Sequence, residues 1–170
     1  IGIIPAKITK IDPKIWQGVS EHKLFLDLKS LPNLRFQSAQ TFLKRILISE
    51  TNSPISNPRL KHSGKFYLMA KLDKLINIGA LDEAENTLLQ VPKVDPELFK
   101  RWAKVSFLTG RIKKLCEALR ENPGLSTDLS IRVICFDELN DWDAAALIMS
   151  TASSLKLLDN NRESLLIHYL

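Results

Sequence analysis

The sequence predicts an all-α fold, with antiparallel helix pairs stacked as a short α-solenoid and preceded by a helical N-terminal region. Three observations support this prediction: apolar residues recur at helical spacing, helix-ending residues recur at a fixed interval, and no stretch sustains the alternation typical of a β-strand. Apolar residues make up 45% of the 170 residues and charged residues 25%, which indicates a globular chain rather than a disordered one.

The N-terminal part of the chain is predicted to contain three segments. Residues 1–14 include two prolines and show no helical period, so we expect an extended arm. Residues 15–49 are expected to be helical, with a short helix over 15–28 and a longer one over 35–49. The longer helix has one apolar stripe, which consists of Phe36, Ala39, Phe42, Leu43, Ile46 and Leu47. Residues 50–64 are rich in Pro, Asn and Ser, and predict a loop at a boundary between subdomains.

A turn pattern recurs in the remaining part, residues 65–170, at intervals of 31 and 30 residues. Its copies begin with Gly79, Gly110 and Asn140, and both residue types accept at low cost the left-handed conformation that ends many helices. Apolar residues follow two and five positions later, and these are Leu81 and Ala84, Ile112 and Leu115, and Trp142 and Ala145. Each unit is therefore predicted to be a helix, a tight turn and a second helix.

The boundaries between units are visible as helix starts. Asp95-Pro96 combines an N-cap acid with a proline in the first helical turn, and residues 126–128 offer capping side chains before the next helix. We expect the units to cover about residues 65–95, 96–125 and 126–158, followed by a truncated helix. The chain begins with Ile1 and its last helix has no stop signal, so we expect a piece of a longer protein.

Residues 65–158 resemble tetratricopeptide-type helical repeats. The likeness rests on the recurring turn, on Asp95-Pro96 between two units, and on one apolar position in the second helices, which is occupied by Leu88, Leu119 and Met149. The interval of 30–31 residues is shorter than the roughly 34 of that family. Leu115 also stands where the family has a small residue.

The resemblance to tetratricopeptide repeats implies a protein-binding groove lined by the first helix of each pair. Carried over position by position, the groove candidates are Phe66, Met69, Asp73, Lys100, Lys104, Phe107, Ser130 and Asp137. Lys100 and Lys104 would clamp an acidic or carboxylate-bearing segment, so the expected partner is an acidic protein or peptide.

A second, fainter resemblance involves residues 131–136 and 140–146, together with residues 15–18. These stretches are similar to segments of uncharacterised exported alphaproteobacterial proteins, which have no activity to carry over. This resemblance implies the periplasm or the cell envelope, and a cytoplasmic location stays open as the alternative.

The two cysteines, Cys116 and Cys135, are expected on neighbouring antiparallel helices, and two alternatives are open for them. A disulfide bond would stabilise the fold by roughly 3 kcal/mol and would imply an oxidising compartment. Otherwise the two residues are buried free thiols that pack as small apolar side chains.

No catalytic, cofactor-binding or metal-binding constellation is found in the sequence. His22, His62 and His168 lie in separate segments, and neither cysteine belongs to a CxxC motif. The paired acids at the turns favour helix N-termini, which explains Asp82, Glu83, Asp141 and Asp143. The six glycines form no phosphate-binding loop, and the longest apolar runs fall far short of the roughly 20 residues that span a bilayer.

These observations predict a non-enzymatic, cofactor-free protein-interaction scaffold, as part of a larger cell-envelope protein. Residues 1–74 hold 13 Lys and Arg against 5 Asp and Glu, while residues 75–170 hold 11 against 14. One alternative is an accessory helical domain of an enzyme whose catalytic part lies outside these residues. Another is a nucleic-acid-binding module, although no interleaved aromatic residues accompany its basic cluster of Lys100, Arg101, Lys104, Arg111, Lys113 and Lys114.

Overall fold

A computed structural model describes residues 2–32, 34–57, 59 and 64–169. Over these residues the chain is all-α, as predicted, with ten α-helices and no extended strand. The chain divides into two compact units, Ile1–Pro92 and Lys93–Leu170, called unit 1 and unit 2 below. Among the described helices, none combines the length and the apolar character that crossing a membrane requires.

Unit 1 is built around one helix that its neighbours bury on most sides. Its helices are α1 (Ala6–Thr9), α2 (Glu21–Ser30), α3 (Gln37–Ile48), α4 (Phe66–Asn77) and α5 (Leu81–Leu89). Leu68, Leu72 and Leu75 recur along α4 at spacings of three and four, and all three are buried. Helices α2, α3 and α5 pack against α4, so this helix forms the core of the unit.

The N-terminal segment is not the extended arm that its prolines predict. It contains the short helix α1, and its backbone pairs with the residues that follow α3. The amides of Ile3 and Ile4 donate to the carbonyl of Ile48 at 2.9 and 3.1 Å, and the Glu50 amide donates to the Ile4 carbonyl at 2.8 Å. The N-terminal segment is held in place because the backbone groups at the end of α3 have no partner within that helix. The backbone of Ile3 and Ile4 supplies these partners.

The helix predicted over residues 15–28 begins later than expected. Residues around Trp16 form turns, and Gly18 has a left-handed backbone with φ of 79°. Helix α2 starts only after Ser20, whose side chain accepts a hydrogen bond from the Lys23 amide at 3.2 Å. The N-cap serine and the left-handed glycine set this start, and they override the apolar spacing of residues 15–19.

The loop at residues 50–64 does not separate two units, and this prediction is wrong. The Asn52 amide donates to the Pro13 carbonyl at 2.8 Å, and the Ile55 amide donates to the Val19 carbonyl at 3.0 Å. Helix α2 packs along α4, which ties the residues before the loop to those after it. The boundary therefore falls between Pro92 and Lys93, and the first predicted repeat unit belongs to unit 1.

Unit 2 consists of five helices and a 3₁₀ turn. The helices are α6 (Pro96–Thr109), α7 (Lys113–Glu121), α8 (Leu129–Glu138), α9 (Trp142–Ser154) and α10 (Asn160–Tyr169), and the 3₁₀ turn is Pro123–Leu125. Helix α8 is central, since α7, α9 and α10 all contact it. A core cluster of Val133, Ala145, Met149 and Leu166 joins α8, α9 and α10.

The recurring turn is confirmed at all three positions. Gly79, Gly110 and Asn140 have φ values of 75°, 72° and 59°, so each adopts the left-handed conformation that ends the preceding helix. The apolar residues five positions later, Ala84, Leu115 and Ala145, are all fully buried. Each of these turns joins two helices, so the described residues contain the helix–turn–helix pairs α4/α5, α6/α7 and α8/α9.

The turn at Gly110 permits a test of the backbone argument. A β-carbon at Gly110 would meet no atom within 4 Å, so a substitution there costs only backbone conformation. We expect Gly110→Ala to lower the free energy of unfolding by about 1 kcal/mol, because an L-residue resists the left-handed region. Gly110→Asn, which copies the residue of the third turn, is expected to cost clearly less. Urea unfolding of both variants measures the difference, and equal losses would contradict the backbone explanation.

Candidate protein-interaction groove

The groove candidates in unit 1 lie on α4, and one of them contacts α2 directly. The Phe66 ring packs against the His22 and Phe25 rings of α2, with centroid distances of 5.5 and 5.3 Å. Met69 is only 5% exposed, and Asp73 is half-buried on the same helix. Phe66 is therefore partly covered by α2 and Met69 is buried, so neither side chain is open to a partner in this structure.

The candidates in unit 2 remain accessible on α6. Lys100, Lys104 and Phe107 follow each other at helical spacing and are all exposed, so they form one stripe along α6, called the α6 stripe. Within the described residues, neither lysine of this stripe has an ion-pair partner. The α6 stripe therefore offers two positive charges and an aromatic ring to solvent.

The two candidates on α8 are less accessible. Ser130 and Asp137 lie two helical turns apart and are both half-buried. The Ser130 hydroxyl oxygen is buried and has no hydrogen-bond partner among the described atoms. These residues could contribute polar atoms at the edge of a groove, whereas the α6 stripe supplies its charge.

A pocket of about 470 Å³ lies beside the α6 stripe, and it is called the groove pocket. It is formed by the first turns of α6 and α8, by the 3₁₀ turn and by the residues that lead from this turn into α8. The residues that line it are Pro96, Glu97, Phe99, Lys100, Gly124, Leu125, Ser126, Thr127, Asp128 and Ile131. Its apolar and charged side chains suit a peptide segment better than a bare ion.

Both helix starts at the groove pocket are capped by acids, as their sequences predict. The Asp95 carboxylate accepts from the Leu98 amide at 3.0 Å, and the Asp128 carboxylate accepts from the Ser130 amide at 2.9 Å. Each cap satisfies an amide that the helix itself leaves without a partner. The pocket walls are consequently fixed by local hydrogen bonds. No sequence pattern pointed to two of the pocket residues, Leu125 of the 3₁₀ turn and Ile131 of α8.

The disulfide alternative for the two cysteines is the one that the structure contains. Cys116 of α7 and Cys135 of α8 are bonded, with an S–S distance of 2.07 Å and a Cα–Cα distance of 4.8 Å. Both residues are buried, and the bond joins two helices that already pack together.

Unit 1 contains a buried polar cluster that the sequence pattern did not reveal. The Glu21 carboxylate accepts from the amides of Gly64 and Tyr67 at 2.8 and 3.2 Å, so an acid from α2 caps the start of α4. The Trp16 indole donates to the Tyr67 hydroxyl at 3.0 Å, and burial raises the pKa of that hydroxyl. Lys71 is fully buried on the same helix, and burial lowers its pKa to about 8. These hydrogen bonds hold elements of unit 1 together.

Metal binding has no support in the described residues, where no group of three or more His, Cys, Asp and Glu could hold an ion. His22 packs on Phe66, and His168 is exposed on α10. His62 lies outside the described residues.

Comparisons with known proteins assign the chain to no group. No protein-family model, curated protein or solved structure matches it.

Proposed function

We propose that the chain is a non-catalytic protein-interaction scaffold in which tetratricopeptide-like helix pairs hold a segment of a partner protein. The pairs α6/α7 and α8/α9 are the repeat units that build the binding groove, with α6 and α8 as its lining helices. The observation that carries the proposal is the exposed α6 stripe next to a preformed pocket of about 470 Å³.

The partner segment is acidic and has an apolar residue. Lys100 and Lys104 carry positive charge without a carboxylate partner in the described residues, so carboxylates of a ligand would supply the missing counter-charge. Phe99, Leu125 and Ile131 line the adjacent pocket and favour an apolar side chain. A segment in which acids flank one apolar residue satisfies both features.

The disulfide supports a location in an oxidising compartment, where such bonds persist. The chain would accordingly function in the periplasm or cell envelope. Its role there is to hold another protein in place rather than to transform a substrate.

Charge reversal on the α6 stripe tests the proposed groove. A partner is first captured from the native source with the full-length protein, and its affinity for Lys100→Glu/Lys104→Glu is then measured by calorimetry. We expect at least a tenfold loss, or about 1.4 kcal/mol, because two favourable charges become repulsive. The matched control is Lys113→Glu/Lys114→Glu, which changes the net charge equally on exposed positions of α7.

Two outcomes would contradict this proposal. An unchanged affinity of Lys100→Glu/Lys104→Glu would remove the α6 stripe from the binding surface. Tight binding of oligonucleotides at low salt, falling steeply as salt rises, would assign the basic residues to nucleic acid instead.

A further inference from the structure

The outer side of α3 in unit 1 carries an aromatic ring next to a cation. One stripe along this side, at intervals of four, three and four residues, consists of Ser38, Phe42, Arg45 and Ser49. Phe42 is 52% exposed, and the Arg45 guanidinium lies over its ring, 5.7 Å from the ring centroid. The Ser49 amide still donates to the Arg45 carbonyl at 3.2 Å, so the helical spacing extends to the end of the stripe.

The short helix α1 continues this stripe beyond the end of α3. The hydroxyl groups of Thr9 and Ser49 share a hydrogen bond of 2.6 Å, and both side chains are buried at this contact. The rest of α1 and its C-cap residue are open to solvent, since Ile8 is 71% exposed and its neighbours Lys7 and Lys10 are exposed as well. The two helices thus form one surface, called the α1–α3 surface, which consists of Lys7, Ile8, Lys10, Phe42 and Arg45.

The α1–α3 surface is positively charged. Its three cations form no ion pair within the described part of the chain. Two acids are close to it in sequence, and both have other contacts. The Asp12 carboxylate accepts from the Lys14 amide at 2.8 Å, and Glu50 lines a pocket together with Leu68 of α4. Three positive charges therefore face solvent without an ion pair, beside two exposed apolar side chains.

The apolar residues of the α1–α3 surface discriminate between the anionic ligands that its charge attracts. Single-stranded nucleic acid stacks its bases on aromatic faces, but the Arg45 guanidinium covers one face of the Phe42 ring and Ile8 has no ring. The interfacial region of a bilayer accepts aliphatic and aromatic side chains alike, and anionic lipid headgroups attract Lys and Arg. Two apolar side chains among three cations therefore fit an anionic membrane surface better than a nucleic acid.

We propose that the α1–α3 surface docks unit 1 reversibly on a bilayer that contains anionic phospholipids. Ile8 and Phe42 enter the headgroup region, while Lys7, Lys10 and Arg45 stay at the level of the phosphate groups. Two apolar side chains and three charges provide weak, reversible attachment, since stable anchoring requires a larger apolar contribution. The α1–α3 surface belongs to unit 1 and binds lipid, whereas the groove pocket belongs to unit 2 and binds a protein segment, so neither proposal depends on the other.

Co-sedimentation of the whole chain with lipid vesicles tests the proposal. Vesicles of equal parts phosphatidylglycerol and phosphatidylcholine are compared with vesicles of phosphatidylcholine alone at low salt. We expect a partition coefficient at least tenfold higher for the anionic vesicles, because each cation near such a surface strengthens binding roughly fivefold. This preference should disappear as the salt concentration approaches about 1 M, where the screening length falls to about 3 Å.

A double variant tests whether the apolar side chains enter the bilayer. Ile8→Ser/Phe42→Ser keeps all three cations and is expected to partition at least tenfold more weakly into the anionic vesicles, because two apolar side chains no longer leave water. The matched control is Leu108→Ser/Leu147→Ser, which makes the same change at two exposed leucines of unit 2 and should retain full binding.

A triple variant tests the contribution of charge. Lys7→Gln/Lys10→Gln/Arg45→Gln should weaken partitioning on the order of a hundredfold, since three attractive charges are lost. The control is a variant of unit 2 with the same change in net charge at three exposed lysines, namely Lys100→Gln/Lys104→Gln/Lys114→Gln. It should retain full binding to vesicles whether or not it retains a protein partner, so the outcome is independent of the proposed groove.

Three results would overturn the proposal. Equal partitioning into both kinds of vesicle at low salt would remove the role of the cations, and full binding of Ile8→Ser/Phe42→Ser would show that no side chain enters the bilayer. An oligothymidylate that binds more tightly than the anionic vesicles at equal phosphate concentration, and that the triple variant of unit 1 no longer binds, would assign the α1–α3 surface to nucleic acid. Circular dichroism verifies that the helices of all variants are intact.

Discussion

Reduction of the bond between Cys116 and Cys135 is expected to lower the free energy of unfolding of unit 2 by about 3 kcal/mol. The bond closes a loop across a sequence separation of 19 residues, so reduction restores conformational freedom to the unfolded chain. For a unit the size of Lys93–Leu170, such a loss lowers the melting temperature by on the order of 15 °C. Helix α7 is expected to separate first, since the bond ties it to α8, the central helix of the unit.

Thermal unfolding followed by circular dichroism, with and without a phosphine reductant, measures this effect. The control is Cys116→Ala/Cys135→Ala, which has no bond to reduce and should melt at one temperature in both conditions. The chain has two cysteines, so reduction affects no other bond. A reduced protein that melts within about 3 °C of the oxidised one would show that packing alone holds α7 against α8.

The parts of the fold that were predicted correctly are those with a local cause. Gly79, Gly110 and Asn140 end helices because their own backbone preferences allow the left-handed conformation. Asp95 caps α6 because its carboxylate reaches an amide three residues later. Such interactions span a few residues, so the sequence alone predicts both the helix pairs and the turns within them.

The packing of α2 on α4 could not be predicted in this way. The Glu21 carboxylate caps α4 from 46 residues away, and no spacing within α4 indicates this partner. For the same reason the sequence placed Met69 in an open groove, although α4 is surrounded by three helices. The predicted apolar stripe of α3 also includes two residues that do not reach the core, since Phe36 is 76% and Phe42 is 52% exposed.

The candidate sites also differ in whether their cause is local in the sequence. Lys100 and Lys104 were predicted on an accessible helix face, and both are exposed. The pocket beside the disulfide, which Arg120 and Arg132 help to line, was not predicted, although one signal for it was present. Arg120 follows Cys116 by four residues and Arg132 precedes Cys135 by three, so each arginine shares a helix face with its cysteine. If the sequence analysis had assumed the Cys116–Cys135 bond, it would have placed both arginines beside that bond.

Lys71 is expected to make the stability of unit 1 rise with pH. The folded state lowers the pKa of Lys71 to about 8 from the model-peptide value of 10.5, because its ammonium group is buried. Between these values the unfolded chain binds more protons than the folded one, so the free energy of unfolding increases as the pH rises. The expected gain between pH 8 and 10 is about 2 kcal/mol.

The pH range in which stability rises ends near pH 10 because of Tyr67. Burial raises the pKa of its hydroxyl above the ordinary value of 10.0, so the folded state retains that proton longer than the unfolded chain. Stability therefore falls with pH through Tyr67 once the unfolded tyrosine ionises, which opposes the effect of Lys71. Measurements from pH 7.5 to 10 keep the two contributions apart.

Urea unfolding of unit 1 can be followed through Trp16 when Trp102 and Trp142 of unit 2 are replaced by Phe. In this background Lys71→Met should flatten the pH dependence, because it removes the group whose pKa differs between the folded and unfolded states. Lys23→Met removes an exposed lysine from α2 and should retain the rise. A parent protein whose stability stays constant from pH 8 to 10 would mean that Lys71 keeps its proton when buried. Its positive charge would then be a permanent feature of the core of unit 1, maintained at a cost that the surrounding packing offsets.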